Sequence, residues 1–547
     1  MDKTKSSKKR VTRRDFLKGV GGGALALTVA SLPRSKAFGS PAKQDLVVAY
    51  DASDALGWDP MSQALPTPDK TIASSLYNGL LKWPDEIADL TKLEPDLAEE
   101  WEMSANGVEW KFKLREGVRW HSVFGEDFGE FTAEDAAYSL TRAADSKRSA
   151  FSGDFSVFKK FEAIDKYTLK VTLAFPISSA VVKGLLTDYH GGQILCKKAL
   201  EKFGDAYPLK PVGTGPFKFK AYSPNESSTW LPHKKYFRGA PHLSSYQMRY
   251  MADLSSREMA LRKGDVQLIE GVREQHWVDK MRAQPGTETL VFGPGELVFL
   301  NLNTTRKPFD DIRVRKAVFH AIDRDGLLRF IGKDTTERDV TALQKNYLGA
   351  LLEEELPKEL LYDYDPDKAK DLMAKAGYPK GFDTEMVITE RASYNRAMVA
   401  VQDMLRKVGI NLKFNVITHP AYHSQIRKDV NPMVLYICTR FPTGDQMLTQ
   451  FFHSRSIVAT PTGVTNFSHY KAIDNLLDTA RKETDPDKQA KLWKKAQLQI
   501  LEDAVAYSFY TLKFAFAKKP WVDIGYDLKS TMQLGVPIRK GAKIMGH

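Results

Sequence analysis

Residues 398–416 read MVAVQDMLRKVGINLKFNV and contain two apolar periods in succession. Apolar residues recur every three or four positions as far as Val408, which predicts one buried face of a helix. Gly409 ends that helix. Apolar and polar residues then alternate as far as Val416, which predicts a half-buried strand. A helix that leads directly into a strand is typical of α/β proteins.

Similar signals occur on both sides of this stretch. Residues 108–114 alternate apolar and charged side chains, which predicts a strand. Thr132 with Asp135 three residues later predicts a capped helix start. Asp365 and Asp485 each precede a proline, and this pair predicts two further helix starts. No linker rich in Pro, Gly or Ser divides the chain, so we expect two lobes that share strands.

Composition excludes several classes of protein. The chain has 547 residues, which exceeds one ordinary core, and its 42% hydrophobic content is normal for a globular protein. Two cysteines exclude a disulfide scaffold. The net charge is +12, but residues 1–37 hold ten basic and two acidic residues. The remainder is nearly balanced, so we expect no nucleic-acid partner.

Residues 1–37 have the layout of an export signal. Arg13-Arg14-Asp-Phe-Leu-Lys18 is followed by a glycine-rich, mildly apolar run and then by Ser35-Lys-Ala37. The paired arginines resemble the twin-arginine signal, which implies the twin-arginine translocase as a partner during export. We expect cleavage after Ala37 and a periplasmic mature protein. No later apolar run reaches the length of a membrane span.

The sequence contains no motif of a known catalytic or metal centre. The nucleophile elbow, the Walker loop, the H-E-x-x-H motif and paired C-x-x-C motifs do not occur. His419 and His423 are four residues apart, but Pro420 argues against a shared helix face. We therefore predict a protein that is not an enzyme and has no cofactor or metal. Cys196 and Cys438 are predicted to be separate thiols.

Several short segments resemble one family when they are taken in order. They are Tyr77-Asn-Gly79-Leu-Leu81, Leu93-Glu-Pro95-Asp-Leu97, Trp110-Lys-Phe112, Trp120-His121, Gly213-Thr-Gly215-Pro-Phe217, Asn301-Leu-Asn303, Pro308-Phe309-Asp310-Asp311, Asp365-Pro366 and Thr484-Asp485-Pro486. Across residues 45–525 the chain resembles the family 5 solute-binding proteins of ABC importers. These proteins bind dipeptides, oligopeptides or nickel.

The resemblance implies an α/β fold with two lobes, the class II or cluster C type of periplasmic binding protein, joined by a two-strand hinge. The first lobe would comprise residues 38–290 plus 512–547, and the second lobe residues 291–511. A monomeric receptor would enclose a peptide or peptide-like small molecule between the lobes. It would then deliver that ligand to an ABC permease in the inner membrane.

One position departs from the peptide-binding pattern of the family. Peptide-binding members have Trp-Cys-x-Asp in the second lobe, and that Asp pairs with the ligand's ammonium group. The matching stretch here begins at Tyr436-Ile-Cys438, and Arg440 stands in the place of the Asp. Arg440 would then hold an anionic group. Two alternatives stay open: Arg440 pairs with Asp445 or another acid, or the alignment slips by five residues and Asp445 keeps the ammonium role.

Other candidate wall residues follow from the same resemblance. Polar residues after the first strand and before a Gly-Gly turn could face the cleft, and an aromatic ring beside Arg440 could stack on the ligand. These candidates are Tyr50, Asp51, Ser53, Asp188, Tyr189, His190 and Phe441.

Three alternatives to peptide transport remain from sequence alone. The first is transport of a non-peptide and possibly anionic ligand, such as an opine, a sugar derivative or a metal chelate. The second is a secreted hydrolase, because twin-arginine export also carries enzymes. The third is a chemoreceptor adaptor with the same fold.

Overall fold

A computed structural model describes residues 44–62, 67–438, 441, 443–460, 463 and 465–546, which belong to one compact unit. The predicted signal segment 1–37 and its cleavage position lie outside the described residues. No helix in the described ranges is long and apolar enough to cross a membrane.

Strands occur along the whole described chain. Numbered β1 to β21, they are Asp45–Tyr50, Leu81–Lys82, Glu94–Pro95, Ala98–Met103, Glu109–Leu114, Ser122–Val123, Glu126–Asp127, Phe158–Ala163, Thr168–Leu173, Phe217–Ser223, Ser227–Pro232, Ser245–Tyr250, Leu268–Glu270, Glu288–Leu302, Thr336–Glu337, Phe382–Thr389, Ile410–Ile417, Met433–Cys438, Ala506–Lys518, Val522–Asp523 and Lys543–Ile544.

Helices alternate with these strands. Numbered α1 to α15, they are Thr67–Leu76, Ala133–Ala144, Ser152–Phe155, Ser179–Leu185, Lys197–Phe203, Leu254–Lys263, Gln275–Ala283, Ile312–Ala321, Arg324–Ile331, Pro366–Lys375, Ala392–Lys407, His419–Ile426, Gly444–Phe452, Asp474–Lys482 and Pro486–Glu502. Short 3₁₀ helices span His190–Gly192, Gly204–Leu209, Glu353–Glu355, Lys358–Leu360 and Ser454–Ser456.

The local signals in the sequence are confirmed. Helix α11 leads through Gly409 into β17, and β5 alternates buried and exposed residues. The Asp135 carboxylate accepts a hydrogen bond from the backbone N–H of Thr132 at 3.1 Å, as expected at a capped helix start. The Asp365 side chain accepts one from Lys368 N at 2.9 Å at the start of α10.

One sheet of nine strands connects the two halves of the chain. Its order is β10-β11-β12-β1-β13-β19-β14-β18, and β15 also pairs with β19. Strands β14 and β19 are antiparallel and much longer than their neighbours. Their register shifts between Phe292 and Glu296, and the shift includes Gly295 with φ of 74°. A side chain at Gly295 would lie 2.2 Å from Leu512 O, so glycine is required there.

Two large hydrophobic cores meet at these two strands. The first part of β14 and the last part of β19 place Phe292, Phe514 and Phe516 in a core built from residues before 293 and after 513. The last part of β14 and the first part of β19 place Leu297 and Leu512 in a second core. The fully buried members of this core, among the described residues, lie between these two leucines in sequence. Strands β14 and β19 therefore pass from one core into the other, which is the arrangement of a two-strand hinge.

The predicted two-lobed α/β fold is confirmed by this architecture. The lobe boundaries at 290/291 and 511/512 stay a proposal, and the change of core along β14 and β19 supports them. Cys196 is buried in the first core and Cys438 in the second, and neither takes part in a disulfide, as predicted.

The Gly213-Thr-Gly215 turn packs directly against the end of α1. Gly215 N donates a hydrogen bond to Leu76 O at 2.8 Å, and His121 N donates one to Gly213 O at 2.9 Å. A side chain at Gly213 would place its Cβ 1.9 Å from Leu76 O. This backbone contact explains why the turn needs glycine at that position.

We predict that Gly213→Ala destabilises the protein by about 2 kcal/mol, because the new methyl group must displace backbone atoms. Urea unfolding measures the change. Gly153→Ala is the matched control, since a Cβ there meets nothing within 4 Å and the site is helical. Equal unfolding midpoints for the two variants would contradict the proposed close packing.

Candidate functional site

A cavity of about 650 Å³ lies beside β14 and β19, between the two cores. One wall comes from the first half of the chain and from the C-terminal segment: Asp51, Thr67, Glu270, Gly271, Val272, Arg273, Glu274 and Leu534. The other wall and the strands contribute Glu296, Ile331, Arg391, Ala392, Ser393, Tyr394, Arg396, His419, His423, Arg427, Tyr436, Ile437, Tyr510 and Leu512. This volume and mixed lining suit a small polar molecule.

The second wall presents two guanidinium groups that have no carboxylate partner among the described residues. Arg391 directly precedes α11, and its exposed side chain lines the cavity. Arg427 follows α12 and donates to His423 O at 2.7 Å. A guanidinium that is not neutralised by the protein is suited to a carboxylate of a ligand, because its planar fork matches that group.

Two imidazoles lie on the same wall. Helix α12 begins at His419 with Pro420 in its first turn, where a proline is well tolerated. The prediction that Pro420 keeps His419 and His423 off a shared face is therefore wrong. Their Nε2 atoms are 3.2 Å apart, and both rings line the cavity. Burial, helped by nearby cations, lowers the pKa of both rings, and that of His423 to about 4.

The opposite wall is acidic. The Asp51 carboxylate is 56% exposed and lies 3.6 Å from the buried guanidinium of Arg257. The Glu270 carboxylate accepts a hydrogen bond from Asp51 N at 3.1 Å. Burial raises the pKa of Glu270 to about 7. A ligand ammonium next to Glu270 would favour the ionised carboxylate, so this wall is suited to a cation.

Two ion pairs join the walls at the sides of the cavity. Arg273 pairs with Glu296, and its guanidinium carbon lies 4.0 Å from the ring centroid of Phe514. Arg396 pairs with Glu274 at 2.8 Å. These four side chains neutralise one another. Among the described residues of the cavity, Arg391 and Arg427 are left for a ligand on one wall and Glu270 on the other, where Asp51 already lies near Arg257.

Of the residues predicted after the first strand, only Asp51 lines this cavity. Tyr50 is fully buried in the first core, with its ring 5.7 Å from that of Phe516. Ser53 is exposed. Arg440, the central residue of the sequence-based hypothesis, lies outside the described residues, and its contact with a ligand stays a prediction.

The residues predicted before the Gly-Gly turn lie elsewhere in the first half of the chain. Asp188 pairs with Arg539 at 3.2 Å. Tyr189 and His190 stack on each other and line a separate cavity of about 20 Å³, beside Gln533. A ligand contact by these three residues stays a prediction.

Phe441 and Asp445 have protein partners. Phe441 exchanges backbone hydrogen bonds with the Tyr347 hydroxyl at 2.8 and 3.0 Å. The Asp445 side chain is only 2% exposed and accepts hydrogen bonds from Arg481 Nε at 3.0 Å and Nη2 at 2.5 Å. Asp445 therefore already has a cationic partner within the protein, and this partner is Arg481.

Neither the sequence patterns nor the family resemblance identified Glu270, Arg391 or Arg427 as site residues. Glu270 and Arg391 share with Asp51 a position at the end of a strand, because Glu270 ends β13 and Arg391 closely follows β16. Arg427 ends a helix, and no local pattern connects it with Arg391. Among the described residues, no group of three or more His, Cys, Asp or Glu side chains is placed to hold a metal.

Comparison with known proteins places the chain in a family. Residues 92–459 match the family model described as bacterial extracellular solute-binding proteins, family 5. The chain belongs to this family, the solute receptors of ABC importers. Over 496 residues it is 28% identical to the glutathione-binding protein GsiB of Escherichia coli K12, which covers 88% of this chain and 91% of GsiB.

Two solved structures support the same assignment. MoaA of A. tumefaciens R10, in complex with mannopinic acid, is 34% identical with a TM-score of 0.80 and covers 92% of this chain and 100% of its own. The periplasmic binding protein DppA of Helicobacter pylori, in complex with the peptide STSA, is 25% identical with a TM-score of 0.75 and covers 92% and 98%. These relatives are binding proteins with two lobes.

We predict that Asp445→Asn destabilises the fold by about 3 kcal/mol, because Arg481 would remain buried without its counter-ion. Urea unfolding measures the loss. Asp403→Asn is the control, since its partner Arg406 is exposed, and it should cost roughly 0.5 kcal/mol or less. The solute affinity of folded Asp445→Asn should be unchanged. A loss of affinity without a loss of stability would show instead that Asp445 binds the solute.

Proposed function

We propose that this chain captures a small zwitterionic solute that has at least one carboxylate and an amine, and delivers it to an ABC permease. The observation that carries the proposal is the division of charge across the cavity. Arg391 and Arg427 face it from one wall and have no carboxylate partner within the described part of the chain, and Asp51 and Glu270 face it from the other wall.

The physical argument concerns desolvation. When the lobes close, a charged group of the solute loses water and must gain a partner of opposite charge. A solute carboxylate gains this partner at Arg391 and Arg427, and a solute amine gains it at Asp51 and Glu270. A neutral sugar would leave the guanidinium groups of Arg391 and Arg427 without an anion, so its affinity would be low.

An acidic opine is the first candidate for the solute. MoaA, the relative that binds mannopinic acid, has the higher sequence identity of the two structures compared above. Glutathione is the second candidate, because it also combines carboxylates with an amine and because GsiB is similar along most of its length. A simple peptide remains possible at the same cavity, since its two termini have the same charges.

Solute binding is tested by calorimetry with mannopinic acid, glutathione and a dipeptide. We expect one of the two acidic solutes to bind most tightly. A concentration of 100 times Kd should stabilise the protein by about 2.7 kcal/mol. Arg391→Gln and Arg427→Gln should each weaken binding by roughly tenfold or more, since each removes a charged hydrogen bond.

Controls separate recognition from general effects of charge. Arg406→Gln removes an exposed guanidinium whose partner is Asp403, and it should leave the affinity unchanged. Arg440→Gln belongs in the same panel, because Tyr436 and Ile437 shortly before it line the cavity. Tight binding of the dipeptide that is unaffected by Arg391→Gln, Arg427→Gln and Arg440→Gln would contradict an anion subsite. Conversion of the solute to a product would favour the hydrolase.

We further propose that residues 1–37 route the chain to the periplasm through the twin-arginine translocase and that the mature receptor is a monomer. Replacement of Arg13 and Arg14 by lysine should leave the precursor in the cytoplasm, as measured by cell fractionation. Replacement of Lys8 and Lys9 by arginine is the matched control and should not affect export. Export of both variants alike would contradict the twin-arginine route.

A further inference from the structure

The His419–His423 pair is the feature of the cavity that the proposed function leaves unexplained. The two rings are perpendicular, with centroids 4.5 Å apart and Nε2 atoms 3.2 Å apart. A hydrogen bond between two Nε2 atoms requires one to donate and the other to accept. His419 Nδ1 lies 3.2 Å from the Thr389 hydroxyl. His423 Nδ1 is buried and has no hydrogen-bond partner in the described part of the chain.

This arrangement is compatible with two neutral rings and then leaves a nitrogen that can accept a proton. If His419 donates from Nδ1 to Thr389, its Nε2 is the acceptor and His423 Nε2 is the donor. The buried Nδ1 of His423 then has a free lone pair. Protonation of His423 would add a charge and a donor on a wall that already holds Arg427.

The groups around the pair explain why it is neutral in the empty cavity. Arg391 and Arg427 are cations close enough to act on the pair, and Glu390, which accepts a hydrogen bond from His419 N at 3.1 Å, is an acid beside it. Aromatic rings complete the surroundings: Tyr394, Tyr422 and Tyr436. Burial is the largest cause of the lowered pKa of both imidazoles. At His419, burial and Arg391 outweigh Glu390. At His423, His419 and then Arg427 and Arg391 lower the pKa further.

We propose that His419 and His423 form a subsite for a second acidic group of the solute, and that the pair takes up one proton from solvent when this group binds. The inference deepens the proposed function, on which it rests. The incoming proton binds the free lone pair on Nδ1 of His423, the Nε2–H of His423 can keep its hydrogen bond to His419, and the imidazolium attracts the solute carboxylate. The solute class is therefore an amine with two acidic groups.

The sign of the effect follows from linkage. A solute anion neutralises the field of Arg391 and Arg427 and attracts an imidazolium, so the pKa of the pair is higher with solute bound than without it. A group with a higher pKa in the bound state takes up protons on binding, and the affinity rises as the pH falls between the two pKa values. His423 starts from about 4, so uptake is expected in mildly acidic solution.

Solute binding would change the protonation of Glu270 in the direction opposite to that of the histidine pair, so the experiment needs a control for Glu270. Burial raises its pKa to about 7 in the empty cavity, and a solute amine beside it would lower that value. Glu270 would then release a proton on binding, and this release would mask uptake at the histidine pair. The Glu270→Gln background removes the release.

The experiment is calorimetry of mannopinic acid at pH 6 in buffers of different ionisation enthalpy, which gives the number of protons exchanged. The number of protons taken up per solute should fall by about half a proton or more when His423→Gln is introduced. We expect this fall both in the wild-type protein and in the Glu270→Gln variant. His419→Gln is the second variant, and His242→Gln, an exposed histidine, is the control. A matched solute in which one carboxylate is an amide should show no uptake at the pair.

The outcomes separate the two proposals. Proton uptake that disappears with either cavity histidine but persists in His242→Gln supports the subsite. Binding with the same proton number in all variants overturns it and leaves the proposed function intact. An absence of binding by mannopinic acid and glutathione alike, while a neutral solute binds, overturns the proposed function and with it the subsite. Equal uptake with the amide solute also overturns the subsite.

Discussion

The antiparallel pairing of β14 with β19 is the constraint on which the rest of the molecule depends. Each strand is long enough to be buried in both hydrophobic cores, so the backbone hydrogen bonds between them hold the two cores in one sheet. The register shift around Gly295 lies between the two buried parts. A sheet that is interrupted there can bend at one place while both cores stay packed.

The position of the cavity follows from this pairing. The cavity adjoins the last part of β14 and the first part of β19, and side chains from both sides of these strands form its walls. Its charge pattern has the same origin, since one wall brings acids and the other brings arginines and histidines. Arg273–Glu296 and Arg396–Glu274 join the walls. A solute whose charges match the acidic wall and the arginine wall would stabilise the closed arrangement, because ligand binding can shift a conformational equilibrium only through different contacts in the two states.

Much of the fold was predictable because its signals are local. A capped helix start at Asp365 or an alternating strand after Gly409 needs only neighbouring residues. The family resemblance added the order of the lobes and the hinge. The candidate site was predictable only in small part. Asp51 was found by its position after a strand. Glu270 and Arg391 were recognised as site residues only when the fold placed them on facing walls of the cavity.

The sequence by itself determined the fold class, the two lobes, the family and the balance of charge in the body of the protein, because each depends on composition, period or the order of segments. Only the tertiary structure decided which charges remain without a partner. Asp445 is neutralised by Arg481, whereas Arg391 has no carboxylate partner among the residues that the structure describes. The structure also placed His419 and His423 on one face, because a proline in the first turn of a helix costs no hydrogen bond.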